Sequence, residues 1–153
     1  MSRRTPLSSR LLFAVAAAAV VATGCTSSAV HITVPTPPNA VLVACSRLQA
    51  RLPDQLNGYN SRLVSPRSPL VHAWGSRPVV LRCGVPRPAG YDPNSPSSAV
   101  VDGVTWFQQI EPRVVVWTTV RSAAVIELSV PSSYPAQGGF LVTIGAAITA
   151  AVP

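Results

Sequence analysis

Few side chains in this sequence have the types and spacing that catalysis requires. Two histidines, His31 and His72, and five acidic residues are the main candidates for general acids and bases among 153 residues. The acidic residues are Asp54, Asp92, Asp102, Glu111 and Glu127. A serine, His72 and a carboxylate would suffice for a hydrolase, yet the chain has no Gly-x-Ser-x-Gly elbow. A small cell-wall hydrolase that uses His72 with a nearby carboxylate or serine is therefore the alternative function.

Motifs for metals and cofactors are missing from the sequence. The two histidines, His31 and His72, are far apart, so they do not form the His-x-x-x-His pair that places two ligands on one helix face. Neither the glycine-rich dinucleotide fingerprint nor the phosphate-binding P-loop motif occurs. We predict no metal and no cofactor.

All twelve basic residues are arginine, and three of them lie close to a tryptophan in the middle of the chain. Arginine side chains bind phosphate and carboxylate groups in a bidentate manner. The candidate patch for an anionic envelope ligand consists of Trp74, Arg77, Arg82 and Arg87. The alternative is that these arginines are the solvated side of a strand and its turns, in a chain that uses arginine for every cation.

The amino terminus is typical of an export signal. Three arginines precede an unbroken apolar run at residues 11–22. The run is shorter than the roughly 20 residues that span a bilayer, and it suits the apolar core of a signal peptide. We predict a lipoprotein signal peptide over residues 1–24. Its removal takes three of the twelve arginines and leaves nine against five acidic residues, so the net charge falls from +7 to +4.

Small residues precede Cys25 in a pattern that resembles the bacterial lipobox, in which the cysteine thiol carries diacylglycerol. We expect lipid on Cys25 and a short tether over residues 25–29. The lipid would hold the protein at the outer face of the cytoplasmic membrane. The alternatives are ordinary cleavage, which would secrete the protein, and an uncleaved anchor.

The two remaining cysteines, Cys45 and Cys83, form an even number in an exported and oxidising setting. A disulfide between them would close a loop of about 40 residues and stabilise the fold by roughly 4 kcal/mol. The alternatives are a metal pair, which needs more ligands, and a catalytic thiol, which needs a nearby base. We favour the structural disulfide.

The mature chain predicts one α+β domain over residues 30–150. Alternating or β-branched runs predict strands at 30–34, 78–83, 99–107, 114–120 and 125–130. Asp102-Gly103 favours a hairpin turn, with an irregular turn into the second strand as the alternative, and the runs 114–120 and 125–130 should pair as an antiparallel hairpin. Residues 60–77 contain two prolines and little periodicity, which favours a loop. We expect one antiparallel sheet of four to five strands, with one face left wet and Trp106 and Trp117 partly exposed there.

Two helices are predicted on the other face of this sheet. The first spans residues 40–52 with Asn39 as its cap, and it places Cys45 on the buried side. The second begins after Ser132 or Ser133. Its buried face consists of Phe140, Leu141, Ile144 and Ile148.

The stretch from Ala73 to Pro86, which reads AWGSRPVVLRCGVP, resembles the signature of an actinobacterial envelope family known as domain of unknown function 3515. Three other pieces are similar in the same order: Cys45–Leu48 with Leu52-Pro53, Val101–Trp106, and Val130-Pro131. The resemblance covers about residues 30–150. It implies export and a pairing of Cys45 with Cys83, and it implies no activity.

These observations favour an exported, membrane-anchored lipoprotein that serves as a non-catalytic accessory or binding module of the cell envelope. The expected partners are the membrane, through the lipid on Cys25, and an envelope protein or an anionic envelope ligand. Apolar residues make up 48% of the chain, which excludes a disordered tail. Nucleic acid is excluded because the mature charge is modest and no basic run alternates with aromatic residues.

Overall fold

Ten strands and two helices make up residues 28–152, the part of the chain that a computed structural model describes. The predictions for residues 1–24 and for Cys25 lie outside this part. The helices are α1 (Asn39–Gln49) and α2 (Gly138–Ala151). The strands are β1 (Val30–His31), β2 (Gln55–Leu56), β3 (Tyr59–Asn60), β4 (Val64–Ser65), β5 (Val71–Trp74), β6 (Val79–Cys83), β7 (Ser98–Val101), β8 (Val104–Ile110), β9 (Val114–Thr119) and β10 (Ile126–Pro131). Neither helix is both long and apolar enough to cross a membrane.

The main sheet has six strands in the order β5-β6-β10-β9-β8-β7, and all neighbours are antiparallel. The α+β class is confirmed, but the expected number of four to five strands is too low. Strand β5 lies within the stretch predicted as loop. Only four residues long, it shows no extended alternation, and its pairing with β6 from Val71↔Arg82 to Trp74↔Val79 creates the strand. Strand β1 instead pairs in parallel with β4 in a separate small sheet.

Two predicted hairpins are confirmed. Strands β7 and β8 are joined at Asp102 and Gly103, whose φ angles of 49° and 77° are left-handed, as a two-residue turn of this kind requires. Strands β9 and β10 pair along their length, from Glu127↔Thr118 to Pro131↔Val114.

Trp106 and Trp117 lie on the sheet face that the helices cover, so the expectation that they lie on a wet face is wrong. Cross-strand pairing places Trp106, Trp117 and Cys83 on the face that carries the helices. Trp106 is fully buried, and the indole of Trp117 donates to the Gln137 side chain just before α2. The opposite face is partly shielded by the loop after β6, where Tyr91 packs edge-on against the buried Phe107 at 5.6 Å.

Both helices begin at other residues than predicted. Asn39 is the first residue of α1 and Pro38 precedes it as the N-cap, without a side-chain cap. Helix α2 begins at Gly138, several residues after the predicted serine caps. Pro131 and Tyr134 instead form a turn in which the Tyr134 amide donates to the Pro131 carbonyl. The predicted buried face of α2 is confirmed.

The disulfide between Cys45 of α1 and Cys83 of β6 is present, with their Cα atoms 5.7 Å apart. Both cysteines are buried in the core. The bridge joins α1 to the same sheet face on which α2 packs against β7 and β8. It therefore holds α1 close to β5, the strand next to β6 at the edge of the sheet.

Candidate functional site

The four residues of the predicted anionic patch do not form one surface. Trp74 is fully buried and its indole donates to the carbonyl of Pro53 at 2.9 Å. Arg82 lies on the opposite sheet face and donates to both carboxylate oxygens of Glu127, at 2.8 and 2.9 Å. Arg77 stacks over the ring of Tyr134 at 5.3 Å. The fourth residue, Arg87, is exposed in the loop after β6.

A different set of polar side chains meets beside the edge strand β5. The segment that precedes β5 is hydrogen bonded to the end of this strand, where the Arg62 amide donates to the Ala73 carbonyl. The chain then leaves β5 and rejoins the sheet at Leu70, whose carbonyl accepts from the Cys83 amide. Between the two points lies an open cavity of about 450 Å³, which we call the His72 cleft. It is lined by Gln49, Arg62, Leu63, Val64, Arg67, Ser68, Pro69, Val71 and His72.

Three elements hold the imidazole of His72 in place. Its Nδ1 atom lies 2.9 Å from Nε2 of Gln49, the last residue of α1. Its Nε2 atom lies 2.8 Å from the hydroxyl oxygen of Ser61. The ring also packs against the Trp74 indole, with centroids 4.3 Å apart. The ring has a defined orientation because each nitrogen has a partner.

The tautomer of His72 follows from the orientation of the Gln49 amide. An amide nitrogen can only donate, so Nδ1 accepts from Gln49 and carries no proton. The proton of the neutral ring is then on Nε2 and is donated to the Ser61 oxygen. In this form the imidazole does not act as a base toward Ser61. Rotation of the Gln49 amide by 180° would exchange donor and acceptor and reverse these roles.

Burial keeps this ring neutral. Desolvation lowers the pKa of His72 below its ordinary value of 6.5, because the imidazolium form loses more hydration than the neutral form. The negative charge of Asp54 acts in the opposite direction and is the smaller effect. At neutral pH His72 is therefore a hydrogen-bonding group and not a cation.

Two buried polar atoms on residues of the cleft lining have no partner within residues 28–152. The guanidinium of Arg62 donates to the carbonyls of Gly75 and Ser28, each at 2.9 Å, but its Nε–H is unpaired. The amide oxygen of Gln49 is also buried and unpaired. Both atoms are enclosed by protein, so a ligand in the open cleft does not reach them in this conformation.

Positive charge dominates the first half of the described chain, which contains the cleft. Residues 28–91 contain seven arginines and one acidic residue, whereas residues 92–152 contain two arginines and four acidic residues. No residue of the cleft lining is acidic. The ion pair between Arg82 and Glu127 is the only one within the described part of the chain, so Arg62 and Arg67 have no carboxylate partner there.

Among these residues, only His72 is a candidate from the sequence. Ser61, Arg62 and Arg67 lie in the segment that was predicted as loop, and Gln49 is 23 residues from His72 in the chain. No local pattern marks such a group, because the sheet and α1 bring it together. Within the described residues, no group of three histidine, cysteine or acidic side chains could hold a metal ion.

Comparison with known proteins gives one match. The model of a family described as proteins of unknown function, DUF3515, matches residues 6–153, nearly the whole chain. No curated protein and no solved structure matches significantly.

Proposed function

The chain belongs to the DUF3515 family of proteins of unknown function, and we propose that it is a non-catalytic binding module of the cell envelope, anchored by lipid on Cys25, that takes an anionic ligand in the His72 cleft. The proposal joins two elements: the export and lipidation pattern of residues 1–25 and the chemistry of the cleft.

Two arginine side chains of the cleft lining carry the proposal. The guanidinium of Arg62 is cationic, and a cationic guanidinium favours an anionic ligand. The nearby Arg67 side chain is exposed and adds a second positive charge to the lining. No acidic side chain lines the cleft, and Asp54, whose charge acts on His72, is the one acidic residue among seven arginines in residues 28–91, so the net effect on an incoming anion is attraction.

A titration with inorganic phosphate, followed by amide and side-chain NMR shifts, tests this proposal. We expect saturable shifts at Arg62, Gln49 and His72, and Arg67→Gln to weaken binding about tenfold, the usual cost of one charge-assisted hydrogen bond. Arg113→Gln is the matched control, because Arg113 is exposed between β8 and β9 and does not line the cleft. Equal weakening by both variants would refute a specific site.

The anchor is tested by a Cys25→Ala variant of the full-length chain expressed in a bacterial host. We expect the wild type to sediment with membranes and to release a diacylglycerol-modified peptide on digestion. The variant should lose that modification and leave the lipid-bound fraction. A variant that still fractionates wholly with membranes would show that Cys25 is not the attachment point.

A second candidate, a small hydrolase, is favoured by one observation, the 2.8 Å contact between Ser61 and His72. It requires the reversed Gln49 amide, in which Nδ1–H donates to Gln49 and the Ser61 hydroxyl donates to Nε2. Turnover of activated esters, lost in Ser61→Ala and retained in the neighbouring Ser68→Ala, would support this candidate. If the wild-type protein shows no turnover above background, this candidate is dismissed.

A further inference from the structure

Strand β7 is an edge of the main sheet that no other described strand covers. Its only neighbour within residues 28–152 is β8, whereas β5, at the opposite edge, is bridged by the segment before it, where Ser61 pairs with Trp74. Natural edge strands are usually protected by a charged side chain or a proline within the strand. Strand β7 (Ser98–Val101) has neither, and its Val100 side chain is 71% exposed. The strand is therefore open to pairing with another chain.

The pairing with β8 shows which backbone groups of β7 face outward. The carbonyl of Ser97 accepts from the Gln108 amide, so Ser97 faces β8. The carbonyl of Thr105, the residue opposite Val100, accepts from the Val120 amide at the end of β9, on the other side of β8. Alternate residues of an antiparallel strand direct their N–H and C=O groups to the same side. The N–H and C=O of Val100 therefore point to the open side of β7, where an added strand would bond.

A groove runs beside this edge. Its cavity of about 240 Å³ is lined by Tyr91, Pro93, Ser98, Ala99, Val100, Thr105 and Arg121. Tyr91 packs against Phe107, which pairs with Ser98 at the start of β7. Arg121 lies toward the other end, because the residue before it bonds to Thr105. The groove thus has an apolar end and a cationic end, and its volume is below the roughly 300 Å³ at which small-molecule pockets begin, so it suits the side chains of an extended segment.

Arg121 fixes the charge of a suitable partner. Its side chain is exposed and forms no ion pair within residues 28–152. Asp92 lies between two lining residues, but its carboxylate accepts from the Asn94 amide of its own loop. Asp102 faces α2, since a Cβ atom on Gly145 would lie 3.7 Å from that of Asp102. Arg121 is therefore available to a carboxylate that enters the groove.

We infer that β7 binds an extended segment of a partner protein as an added strand, with an apolar side chain at the Tyr91 end of the groove and a carboxylate at Arg121. Ser98 and Val100 lie on the same sheet face, so the two side chains that meet them are two residues apart in the partner. A second copy of β7 is a poorer occupant, because Ser-Ala-Val-Val offers Arg121 no carboxylate. This site is separate from the His72 cleft and gives the binding module a second ligand, an envelope protein.

Two short peptides test this site. The mature chain with Cys25→Ser, which carries no lipid, is titrated by NMR with acetyl-Thr-Val-Thr-Glu-Thr-amide and with the same peptide in which Gln replaces Glu. We expect saturable shifts along β7 and slower hydrogen exchange of the Val100 amide, because the added strand accepts its hydrogen bond. The Glu peptide should bind about threefold more tightly, the usual contribution of one exposed ion pair. Equal binding of the two peptides would overturn the role of Arg121.

Substitutions in β7 and at Arg121 separate strand pairing from charge. Val100→Pro removes the outward N–H and leaves the bonds to β8 intact, so it should abolish binding of both peptides. Val100→Ile keeps the N–H and the apolar surface and is its matched control. Arg121→Gln should remove the preference for the Glu peptide, whereas Arg113→Gln, at an exposed arginine outside the groove, should keep it.

The results decide between a partner segment, a second copy and no site. Binding of the Glu peptide that is lost in Val100→Pro and weakened in Arg121→Gln, but not in Arg113→Gln, supports the inference. Shifts that do not saturate, or binding that Val100→Pro leaves unchanged, would overturn it. Self-association of the wild type in sedimentation that Val100→Pro removes would show instead that β7 pairs with a second copy. Phosphate binding in the His72 cleft is measured separately, so neither result decides the other.

Discussion

The Nε2 atom of His72 lies 2.8 Å from the hydroxyl oxygen of Ser61, eleven residues earlier in the chain. This contact joins the edge strand β5 to the segment that precedes the cleft, and the bond from Gln49 to Nδ1 joins the same ring to α1. One imidazole thus ties together three elements that have no sequence pattern in common. Its protonation state bears on both binding and stability.

The tautomer of His72 distinguishes the two candidate functions. We expect the neutral ring to carry its proton on Nε2, because Gln49 donates to Nδ1. Nitrogen-15 chemical shifts of the imidazole, measured at pH 8 in long-range proton correlation spectra, report this directly. A proton on Nδ1 would mean that Ser61 donates to Nε2, the arrangement of the hydrolase.

Stability should depend on pH through His72. Its pKa is lowered in the folded state by burial, whereas the unfolded chain has the ordinary value of 6.5, so below 6.5 the unfolded state binds more protons. The free energy of unfolding should therefore fall as pH decreases through 6.5, and level off below the folded-state pKa. Thermal melts between pH 4.5 and 8 measure it.

The matched controls for this pH effect are two substitutions. His72→Gln should flatten the wild-type slope between pH 5 and 7, and His31→Gln, at an exposed position, should leave it unchanged. An unaltered slope in His72→Gln would show that other groups cause the pH dependence.

The Cys45–Cys83 disulfide should contribute about 4 kcal/mol to the free energy of unfolding, because it closes a loop between residues 38 apart in the chain. Urea unfolding of the double variant Cys45→Ala and Cys83→Ala, compared with the wild type, measures this contribution. Alkylation and intact mass supply the control, since neither cysteine should react before reduction. A loss below about 1 kcal/mol would contradict the chain-entropy estimate.

Gly84 should tolerate no side chain. Its φ is +85°, and a Cβ atom there would lie 2.6 Å from Cγ of Pro37. Gly103 has a similar φ of +77° but nothing within 4 Å. Gly103→Ala should cost about 1–2 kcal/mol for the left-handed backbone alone, whereas Gly84→Ala should cost about 1–3 kcal/mol more for the overpacking. Urea midpoints of the two variants compare them, and equal losses would refute the steric argument.

Local sequence patterns were sufficient to predict an element that is long or that contains its own turn signal. The runs that form β6, β9 and β10 are β-branched and appear in the sequence as strands, and Asp102-Gly103 marks its hairpin because those two residue types tolerate positive φ. The buried face of α2 also follows from helical spacing.

Local patterns failed where partners decide the structure. Helix α2 begins later than predicted because the chain forms a turn from Pro131 to Tyr134, so the predicted serine caps are not used. Strand β5 has four residues between turns, too few for a periodic signal, and only its pairing with β6 makes it a strand. The prediction of the sheet face on which Trp106 lies was also wrong, because a shift of one residue in register moves every side chain of a strand to the other face.

The α+β class, the pairing of Cys45 with Cys83 and the family are evident from local patterns, since they follow from periodicity, from cysteine number and from a signature of consecutive residues. The ion pair of Arg82 with Glu127 and the cleft that Arg62, Gln49 and His72 share are evident only in the folded chain. Such a site depends on distances between residues far apart in the chain. Those distances are set by sheet register and helix packing, which no local pattern encodes.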